Sequence, residues 1–174
     1  HSGPAARGAI ADRIAAGQSV AYVSEAGTPL IADPGFALAR EVGAAGHLVT
    51  TAPGPSALLA ALSLAGLPTD RFLFAGFLPS KQGQRQRALA DLAGIQATLV
   101  FYEAPGRMAR SIADMIAAFG PDRPAAICRE LTKRFEQVMH GTLAQLADSL
   151  GSDIPLKGEF VIVVGAPLAT TVSE

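Results

Sequence analysis

The chain has 174 residues, of which 49% are hydrophobic and 17% are charged. These fractions permit a substantial core and argue against intrinsic disorder, and the length suits one large or two small domains. The 14 Lys and Arg residues against 15 Asp and Glu give a net charge of −1, which provides no global attraction to nucleic acid. A local basic patch remains compatible with that balance.

The single cysteine, Cys128, excludes an internal disulfide and a cysteine-based metal cluster, and we expect no metal. The sequence shows no signal peptide and no apolar stretch long enough to span a bilayer. These features predict a soluble protein of the reducing cytoplasm.

The first part of the chain predicts helices that alternate with strands. Apolar residues recur at Ala6, Ile10 and Ile14, a spacing that indicates a helix, and Gly17 is well placed to end it. Four further elements follow: a strand at Ser19–Ser24, a helix at Phe36–Ala45, a strand at His47–Thr51 and a helix at Ser56–Ala65. The last helix is apolar on nearly every side, so we expect it to be buried.

A break at Leu67–Asp70 predicts a domain boundary. The residues beyond it predict five strands and three helices, which make a complete α/β unit. The strands are expected at Arg71–Phe77, Ala97–Tyr102, Ala125–Arg129, Phe135–Met139 and Phe160–Val164, and the helices at Lys81–Leu92, Met108–Phe119 and Leu143–Leu150.

The fold class predicted is therefore α/β with two domains. Residues 1–69 would be the remainder of an N-terminal domain with parallel strands, residues 70–167 a C-terminal domain with a mixed five-stranded sheet, and residues 168–174 a frayed tail. Two parallel strands make a poor stand-alone sheet, so we expect the first domain to lack strands that lie upstream.

Two turns rich in Gly, Pro and small residues carry the strongest functional signal. Ser24–Pro29 follows the first predicted strand and Pro53–Ala57 follows the second. Ligands of open α/β sheets gather at the carboxyl ends of strands, where Gly lets a ligand approach the main chain. Ser56 and Ala57 would also offer free N–H groups in the first turn of a helix. Each turn alone is equally explained as an ordinary tight connection, whereas the pair favours a ligand site.

No other catalytic signature competes with these turns. The sequence has no G-x-G-x-x-G motif, no Walker loop and no G-x-S-x-G elbow. The lack of these motifs fits a reaction that needs little from protein side chains, such as transfer of a group that is already activated on a cofactor.

Several segments together resemble one enzyme family: SEAGTPLIADPG, PGPSALLAALSLAGLPTDRF, GFLPSK, TLVFYEAP, RELTK, HG and KGE. They occur between about Ile10 and Val164 in the order found in the tetrapyrrole methylase superfamily of S-adenosylmethionine-dependent enzymes. Within it, they most closely resemble the bacterial enzymes that methylate small-subunit ribosomal RNA. The resemblance implies 2′-O-methylation of a cytidine in the decoding centre of 16S rRNA, and a homodimer that acts on the 30S subunit.

The resemblance also implies residues that contact the cofactor, which in superfamily members lies folded between two domains. By motif these are Ala26, Gly27, Thr28 and Ile31 after the first strand, Ser56 and Ala57 after the second, and Glu103, Leu131, Gly158, Glu159 and Phe160 in the second domain. Family members begin with a further proline- and glycine-rich loop and a D-T-R motif, which this sequence does not contain. We therefore expect the chain to be a fragment with weak or absent cofactor binding.

The residue that would accept the proton of the ribose hydroxyl is open at this level. Glu25, Glu103, Glu130 and Lys133 are candidates, each with a helix-capping or salt-bridge role as the alternative. Lys81, Arg85, Arg129 and Lys133 are candidates for RNA contact, with a solvated or structural role as the alternative. Two other functions stay open for the whole chain: methylation of a small tetrapyrrole, and a non-catalytic module that dimerises or binds RNA.

Overall fold

The computed structural model describes residues 3–168. By their contacts the residues divide into two units, His1–Ser56 and Ala57–Glu174. The helix that follows Ser56 thus belongs to the second unit, whereas the domain boundary predicted after residue 69 stays a prediction. The predicted tail, apart from Leu168, lies outside the described residues.

The first unit contains two helices, α1 at Pro4–Ala15 and α2 at Phe36–Ala44. α1 ends before Gly17, as the sequence predicts, and α2 ends before Gly46 in the same way, because both glycines take the left-handed conformation, with φ of 85° and 82°. Arg7 of α1 pairs with Glu41 of α2 at 3.1 Å between Nε and Oε1. Within residues 3–56 only Leu38 and Val42 of α2 are buried, so this unit has a very small core.

The two strands predicted in the first unit, Ser19–Ser24 and His47–Thr51, are wrong for the described chain. Both segments are irregular. Their apolar side chains are exposed, up to 80% for Val23 and 88% for Leu48. A strand is stabilised by ladder hydrogen bonds to a neighbour, and no segment of residues 3–168 pairs with either run. High strand propensity without a partner leaves the backbone irregular.

The second unit contains the remaining elements. Its strands are β1 at Phe72–Phe77, β2 at Thr98–Glu103, β3 at Pro124–Arg129, β4 at Gln137–Thr142 and β5 at Phe160–Val164. Its helices are α3 at Ala57–Leu64, α4 at Gln82–Leu92, α5 at Met108–Phe119 and α6 at Leu143–Asp148, with a 3-10 turn at Pro105–Arg107. No helix within residues 3–168 is long and apolar enough to cross a bilayer.

The five strands form one sheet in the order β1-β2-β5-β3-β4. β1 and β2 are parallel, and the three other pairings are antiparallel. This confirms the predicted mixed five-stranded sheet. The strand bounds agree with the prediction within one residue except at β4, which ends at Thr142, three residues later than predicted. β4 also starts two residues later, at Gln137, because Phe135 lies in a turn that the Glu136 N–H closes on the Lys133 carbonyl at 3.1 Å.

Side chains alternate between the two faces of this sheet, as the period of two along a strand requires. Leu99, Phe101, Ile127 and Ile162 pack under α4, α5 and α6 on one face. On the opposite face, α3 packs on a cluster that includes Val100, Ala126, Cys128, Val161 and Val163.

Complete burial of α3 is therefore wrong. Ala61 and Leu62 face the sheet, whereas Leu59 and Leu64 are 55% and 43% exposed. A helix on the outer face of one sheet buries a single stripe, and an apolar sequence on every side does not alter that geometry.

Candidate functional site

The two glycine- and proline-rich turns meet within the first unit. The Thr28 hydroxyl donates a hydrogen bond to the Pro55 carbonyl at 2.9 Å, which ties one turn to the other. Both turns lack bulk at this junction: a Cβ on Gly27 would lie 3.9 Å from the Pro55 oxygen, and one on Gly54 would lie 3.9 Å from the Thr28 hydroxyl. The hydrogen bond therefore joins the two turns, whereas their role as a ligand site stays a prediction.

The first turn holds an unusual backbone. Gly27, Leu30 and Ala32 have φ of 72°, 74° and 54°, and a left-handed conformation is unfavourable for the latter two because they carry a Cβ. Ile31 lies between them and its side chain is 44% exposed. Strained residues of this kind concentrate at ligand sites, so the segment remains the first unit's best candidate.

Two further side chains hold this segment in place. The Ser24 hydroxyl lies 3.1 Å from the Ala26 carbonyl and 3.0 Å from the Gly27 carbonyl, and it donates to this pair. The Tyr22 hydroxyl donates to the Pro34 carbonyl at 3.0 Å. Ala26 and Glu25 are exposed at the surface of the turn.

One edge of the second unit's sheet gathers the second set of predicted residues. Glu103, the last residue of β2, pairs with Phe160, the first residue of β5. Phe160 pairs on its other side with Arg129, the last residue of β3, which in turn pairs with Gln137. Leu131 lies two residues after the end of β3, and Gly158 lies two residues before the start of β5. Predicted residues from three distant segments therefore lie along one edge.

Tyr102 connects α3 to this edge. Its hydroxyl accepts a hydrogen bond from the Leu58 N–H at 3.1 Å, in the first turn of α3. The ring is held edge-to-face by Phe74 and Phe77, with centroids 4.8 and 5.7 Å away. Ala57 begins α3 beside this contact and is exposed, whereas Ser56 is the last residue of the first unit. Tyr102 enters the sequence analysis only as the end of a predicted strand, since nothing in its spacing signals a helix contact.

Glu103 is fully engaged by its own unit. The side chain is buried, and it accepts hydrogen bonds from the Ser111 hydroxyl at 2.5 Å and the Ala104 N–H at 2.8 Å. The Arg107 Nε lies 3.1 Å from Glu103 Oε1. With these three neighbours the Glu103 carboxylate holds the start of α5 against the end of β2. This is the capping and salt-bridge role given in the sequence analysis as the alternative to proton acceptance.

Glu130, Lys133 and Glu159 form one charged cluster beside Gly158. The Glu159 N–H donates to Glu130 Oε1 at 2.8 Å, and Lys133 Nζ lies 3.1 Å from that oxygen and 2.7 Å from Glu159 Oε2. The Glu159 N–H and the Lys133 ammonium lower the pKa of Glu130. The Glu159 and Glu130 carboxylates raise the pKa of Lys133. Near neutral pH Glu130 is thus ionised and weakly basic, and Lys133 is protonated.

The backbone around this cluster is also strained. Glu130 and Thr132 have φ of 50° and 63°, and the buried Leu131 lies between them in the cluster under α3. The Glu130 N–H donates to the Glu159 carbonyl at 3.0 Å, and the Thr132 N–H donates to Glu136 Oε2 at 2.6 Å. Nothing in the sequence indicates left-handed residues here, because neither position is a glycine.

Two arginine candidates hold loops rather than facing solvent freely. Arg129 donates from Nε to the Lys157 carbonyl at 2.6 Å and from Nη1 to the Phe135 carbonyl at 3.3 Å. Arg85 is 2% exposed and donates from Nε to Asp114 Oδ2 at 2.6 Å, so it takes no part in a surface contact. Lys81, just before α4, is exposed.

The imidazole of His140 is hydrogen-bonded to the end of α3. Its Nε2 lies 2.8 Å from the Leu64 carbonyl, so the imidazole carries its proton there and caps the end of α3. Within residues 3–168 no group of His, Cys, Asp and Glu side chains has the arrangement of a metal site.

Comparison with known proteins matches most of the chain to one family. Residues 4–147 match the family described as Tetrapyrrole (Corrin/Porphyrin) Methylases. A curated relative from Xylella fastidiosa (strain Temecula1 / ATCC 700964), named "Ribosomal RNA small subunit methyltransferase I", is 53% identical over 89% of this chain. The matched segment is 57% of that relative, so the chain spans little more than half of its length.

Two solved structures share the fold at lower identity. The methyltransferase CobJ matches 97% of this chain and 73% of its own with a TM-score of 0.68 at 20% identity. A uroporphyrin-III C-methyltransferase from Thermus thermophilus, complexed with S-adenosylhomocysteine, matches 80% of this chain and 62% of its own with a TM-score of 0.54 at 21% identity. At these identities the likeness concerns the fold alone.

Proposed function

Because the chain belongs to the tetrapyrrole (corrin/porphyrin) methylase family, we propose that it is part of an enzyme that methylates small-subunit ribosomal RNA with S-adenosylmethionine. The 53% identity to a relative named for this activity supports the substrate class. The observation that carries the proposal is the sheet edge at which Glu103, Leu131 and Gly158–Phe160 meet. We assign the reaction to a 2′-hydroxyl of a cytidine in the decoding centre of 16S rRNA.

The described residues have the chemistry that S-adenosylmethionine requires. The first unit offers accessible main chain at Gly27 and an exposed apolar side chain at Ile31. The second unit offers the half-buried main chain of Gly158 and the apolar side chain of Leu131. In each unit by itself, backbone groups near an apolar side chain suit one part of a ligand with an adenine ring, a ribose and an amino acid. When bound, the cofactor supplies a methyl group already activated on a sulfonium.

The protein's part in such a reaction is mainly alignment. A displacement at carbon requires the attacking oxygen, the methyl carbon and the leaving sulfur to lie in line, and rigid placement of the reactants supplies much of the rate. The strained segments around Ile31 and Leu131 are suited to this, since the hydrogen bonds of Ser24 and Glu130 fix their backbones.

Of the four candidates, we assign Glu25 as the residue that accepts the proton of the ribose hydroxyl. Glu103 is buried with three neighbours, Glu130 is weakly basic, and Lys133 is protonated. Glu25 is exposed and forms no ion pair with the residues that the structure describes. We expect Glu25→Gln to lower kcat with little change in the cofactor's Kd, whereas a general loss of cofactor binding would contradict the assignment.

The test of the proposed function restores the relative's full length. In a chimera, this chain replaces the matched segment of the Xylella fastidiosa relative, and the intact relative is the positive control. We expect heat with S-adenosylmethionine in calorimetry and label transfer from the methyl-labelled cofactor to 30S subunits, with the methyl located on a ribose by mass spectrometry. Transfer to a tetrapyrrole but not to 30S subunits, or no heat with the cofactor, would overturn the proposal.

The same proposal includes a cellular location and an oligomeric state. We expect an enzyme that acts on ribosomal RNA to be cytoplasmic, and fractionation of cells expressing the chimera would test this. We also propose a homodimer, and sedimentation of the chimera at the mass of one chain would contradict it.

A further inference from the structure

An exposed phenylalanine lies beside the sheet edge that holds the candidate site. Phe135 is 63% exposed and precedes Gln137, which pairs with Arg129 at the end of β3. Arg129 pairs in turn with Phe160, so the ring belongs to the same edge as the second unit's candidate cofactor residues. Burial of apolar surface is favourable, so a large apolar side chain that stays exposed beside a site indicates a surface that binds something.

The loop that carries the ring is closely held by hydrogen bonds. The Glu136 N–H donates to the Lys133 carbonyl at 3.1 Å, and the Lys133 N–H donates to the Glu130 carbonyl at 3.1 Å. Arg129 Nη1 donates to the carbonyl of Phe135 itself at 3.3 Å. These hydrogen bonds hold the backbone around Phe135 in the conformation that leaves the ring exposed.

The charges around Phe135 favour an anionic partner. The Arg134 guanidinium carbon lies 5.5 Å from the ring centroid. Arg129 joins the Phe135 carbonyl to that of Lys157, so Lys157 adjoins the loop as a second, exposed cation. The nearby carboxylates are engaged: Glu136 by the Thr132 N–H, and Glu130 and Glu159 by Lys133. Within residues 3–168 neither Arg134 nor Lys157 forms an ion pair with a carboxylate.

We propose that Phe135 is a stacking platform for a base of single-stranded RNA, with Arg134 and Lys157 contacting the adjoining phosphates. An aromatic ring beside cations that pair with no carboxylate of residues 3–168 is a combination that binds single strands, since every base has a π-face and every nucleotide a phosphate. This inference rests on the proposed function, which supplies RNA as the substrate, and it deepens that function by naming a docking surface.

The chain contains no tryptophan, so a single substitution provides a reporter. In Phe135→Trp the new indole is the sole tryptophan, and we expect a single-stranded oligoribonucleotide of about ten nucleotides to quench its emission. Phe72→Trp is the matched control, because Phe72 is also exposed but starts β1. The other end of β1 is Phe77, which packs on Tyr102 beside the sheet edge of the candidate site, so Phe72 lies away from that edge. The emission of Phe72→Trp should not respond to the RNA.

Affinity gives the second readout on the 174-residue chain. Loss of one stacked base should weaken binding of the labelled oligonucleotide by about 5- to 100-fold in Phe135→Ala, with Phe135→Trp retaining it. Circular dichroism checks that each variant folds. Equal RNA affinity in Phe135→Ala, or no RNA binding by the parent chain, would overturn the platform. A change in sedimentation of Phe135→Ala without a change in RNA affinity would instead identify a contact between protein chains. The methyl-transfer assay of the chimera tests the proposed function separately.

Discussion

Glu130 and Glu159 are joined by two hydrogen bonds that run in opposite directions. The Glu130 N–H donates to the Glu159 carbonyl at 3.0 Å, and the Glu159 N–H donates to Glu130 Oε1 at 2.8 Å. The pair fastens the segment after β3 to the segment before β5, so it sets the backbone at Gly158–Phe160. The glycine at 158 is part of this arrangement, because the Glu130 carboxyl group occupies the space of its missing side chain.

Gly158→Ala is expected to destabilise the protein through a steric conflict with Glu130. A Cβ at position 158 would lie 2.6 Å from the Glu130 Cδ and Oε1 atoms. The positive φ of 95° adds a conformational cost of about 1 kcal/mol. The Glu130 carboxyl group must also move aside, which breaks the hydrogen bond that it accepts from the Glu159 N–H. Urea unfolding would measure the change in the free energy of unfolding.

Gly151→Ala separates the two contributions. Gly151 has a similar φ of 85°, but nothing lies within 4 Å of the place that a Cβ would take there, so it reports the conformational cost alone. Glu130→Ala removes the obstructing carboxyl group, and we expect it to recover part of the loss in the double variant with Gly158→Ala. Equal costs at the two glycines, or strict additivity with Glu130→Ala, would contradict the steric explanation.

Thr28→Val tests the tie between the two glycine- and proline-rich turns. The substitution keeps the branched shape and removes the hydroxyl that donates to the Pro55 carbonyl. We expect a loss of about 0.5–1 kcal/mol, small because the bond is exposed to solvent. Urea unfolding would measure the loss in the free energy of unfolding. Thr28→Ser retains the donor and should be as stable as the parent, and an equal loss in that variant would point to lost packing of the methyl group instead.

The sequence predicts the second unit better than the first for a physical reason. Strands β2, β3 and β5 are short apolar runs that pair with each other within the described residues, so their local pattern and their tertiary setting agree. Ser19–Ser24 and His47–Thr51 have the same local pattern but no paired neighbour there, and they are irregular. Periodicity predicts which segments can be strands, whereas pairing decides which of them are.

The candidate site shows a similar limit. Glycine and proline density identifies the turn that contains Gly27, because those residue types cause the backbone geometry. The left-handed Glu130 and Thr132 have no such signal, since long-range hydrogen bonds from Glu159 and Glu136 hold them. The sequence likewise does not indicate that Arg85 forms a buried ion pair, because its partner Asp114 lies on another helix.

The Arg85–Asp114 pair predicts an acid-sensitive contribution to stability. Burial by itself would raise the pKa of Asp114, but hydrogen bonds from Gln86 and Arg85 outweigh it and lower the pKa below the ordinary 3.8. A lowered carboxyl pKa stabilises the folded state above about pH 3.8, and that stabilisation is lost as the pH falls through the folded-state value. Unfolding free energies measured from pH 6 down to about pH 2 should show this decline.

Asp114→Asn removes the titrating group and leaves Arg85 buried without a charged partner. We expect a loss of about 3–5 kcal/mol near neutral pH, and a shallower decline in stability on acidification. Asp91→Asn is the matched control, since Asp91 is an exposed residue of α4, the helix that carries Arg85. An acid decline as steep in Asp114→Asn as in the parent would assign the acid sensitivity to other carboxylates.

Cys128 is expected to be chemically inert in the folded chain. It lies in β3 with no exposed surface, and burial, with a smaller effect of the Glu136 charge, raises the pKa of its thiol to about 12. The thiolate is the reactive form, so alkylation requires both deprotonation and access. Iodoacetamide at neutral pH should therefore modify Cys128 only through unfolding, at a rate that rises with urea as the unfolded population grows. Modification in water as fast as in the urea-unfolded chain would show that β3 opens locally, and would place the sheet's α3 face among the least stable parts of the second unit.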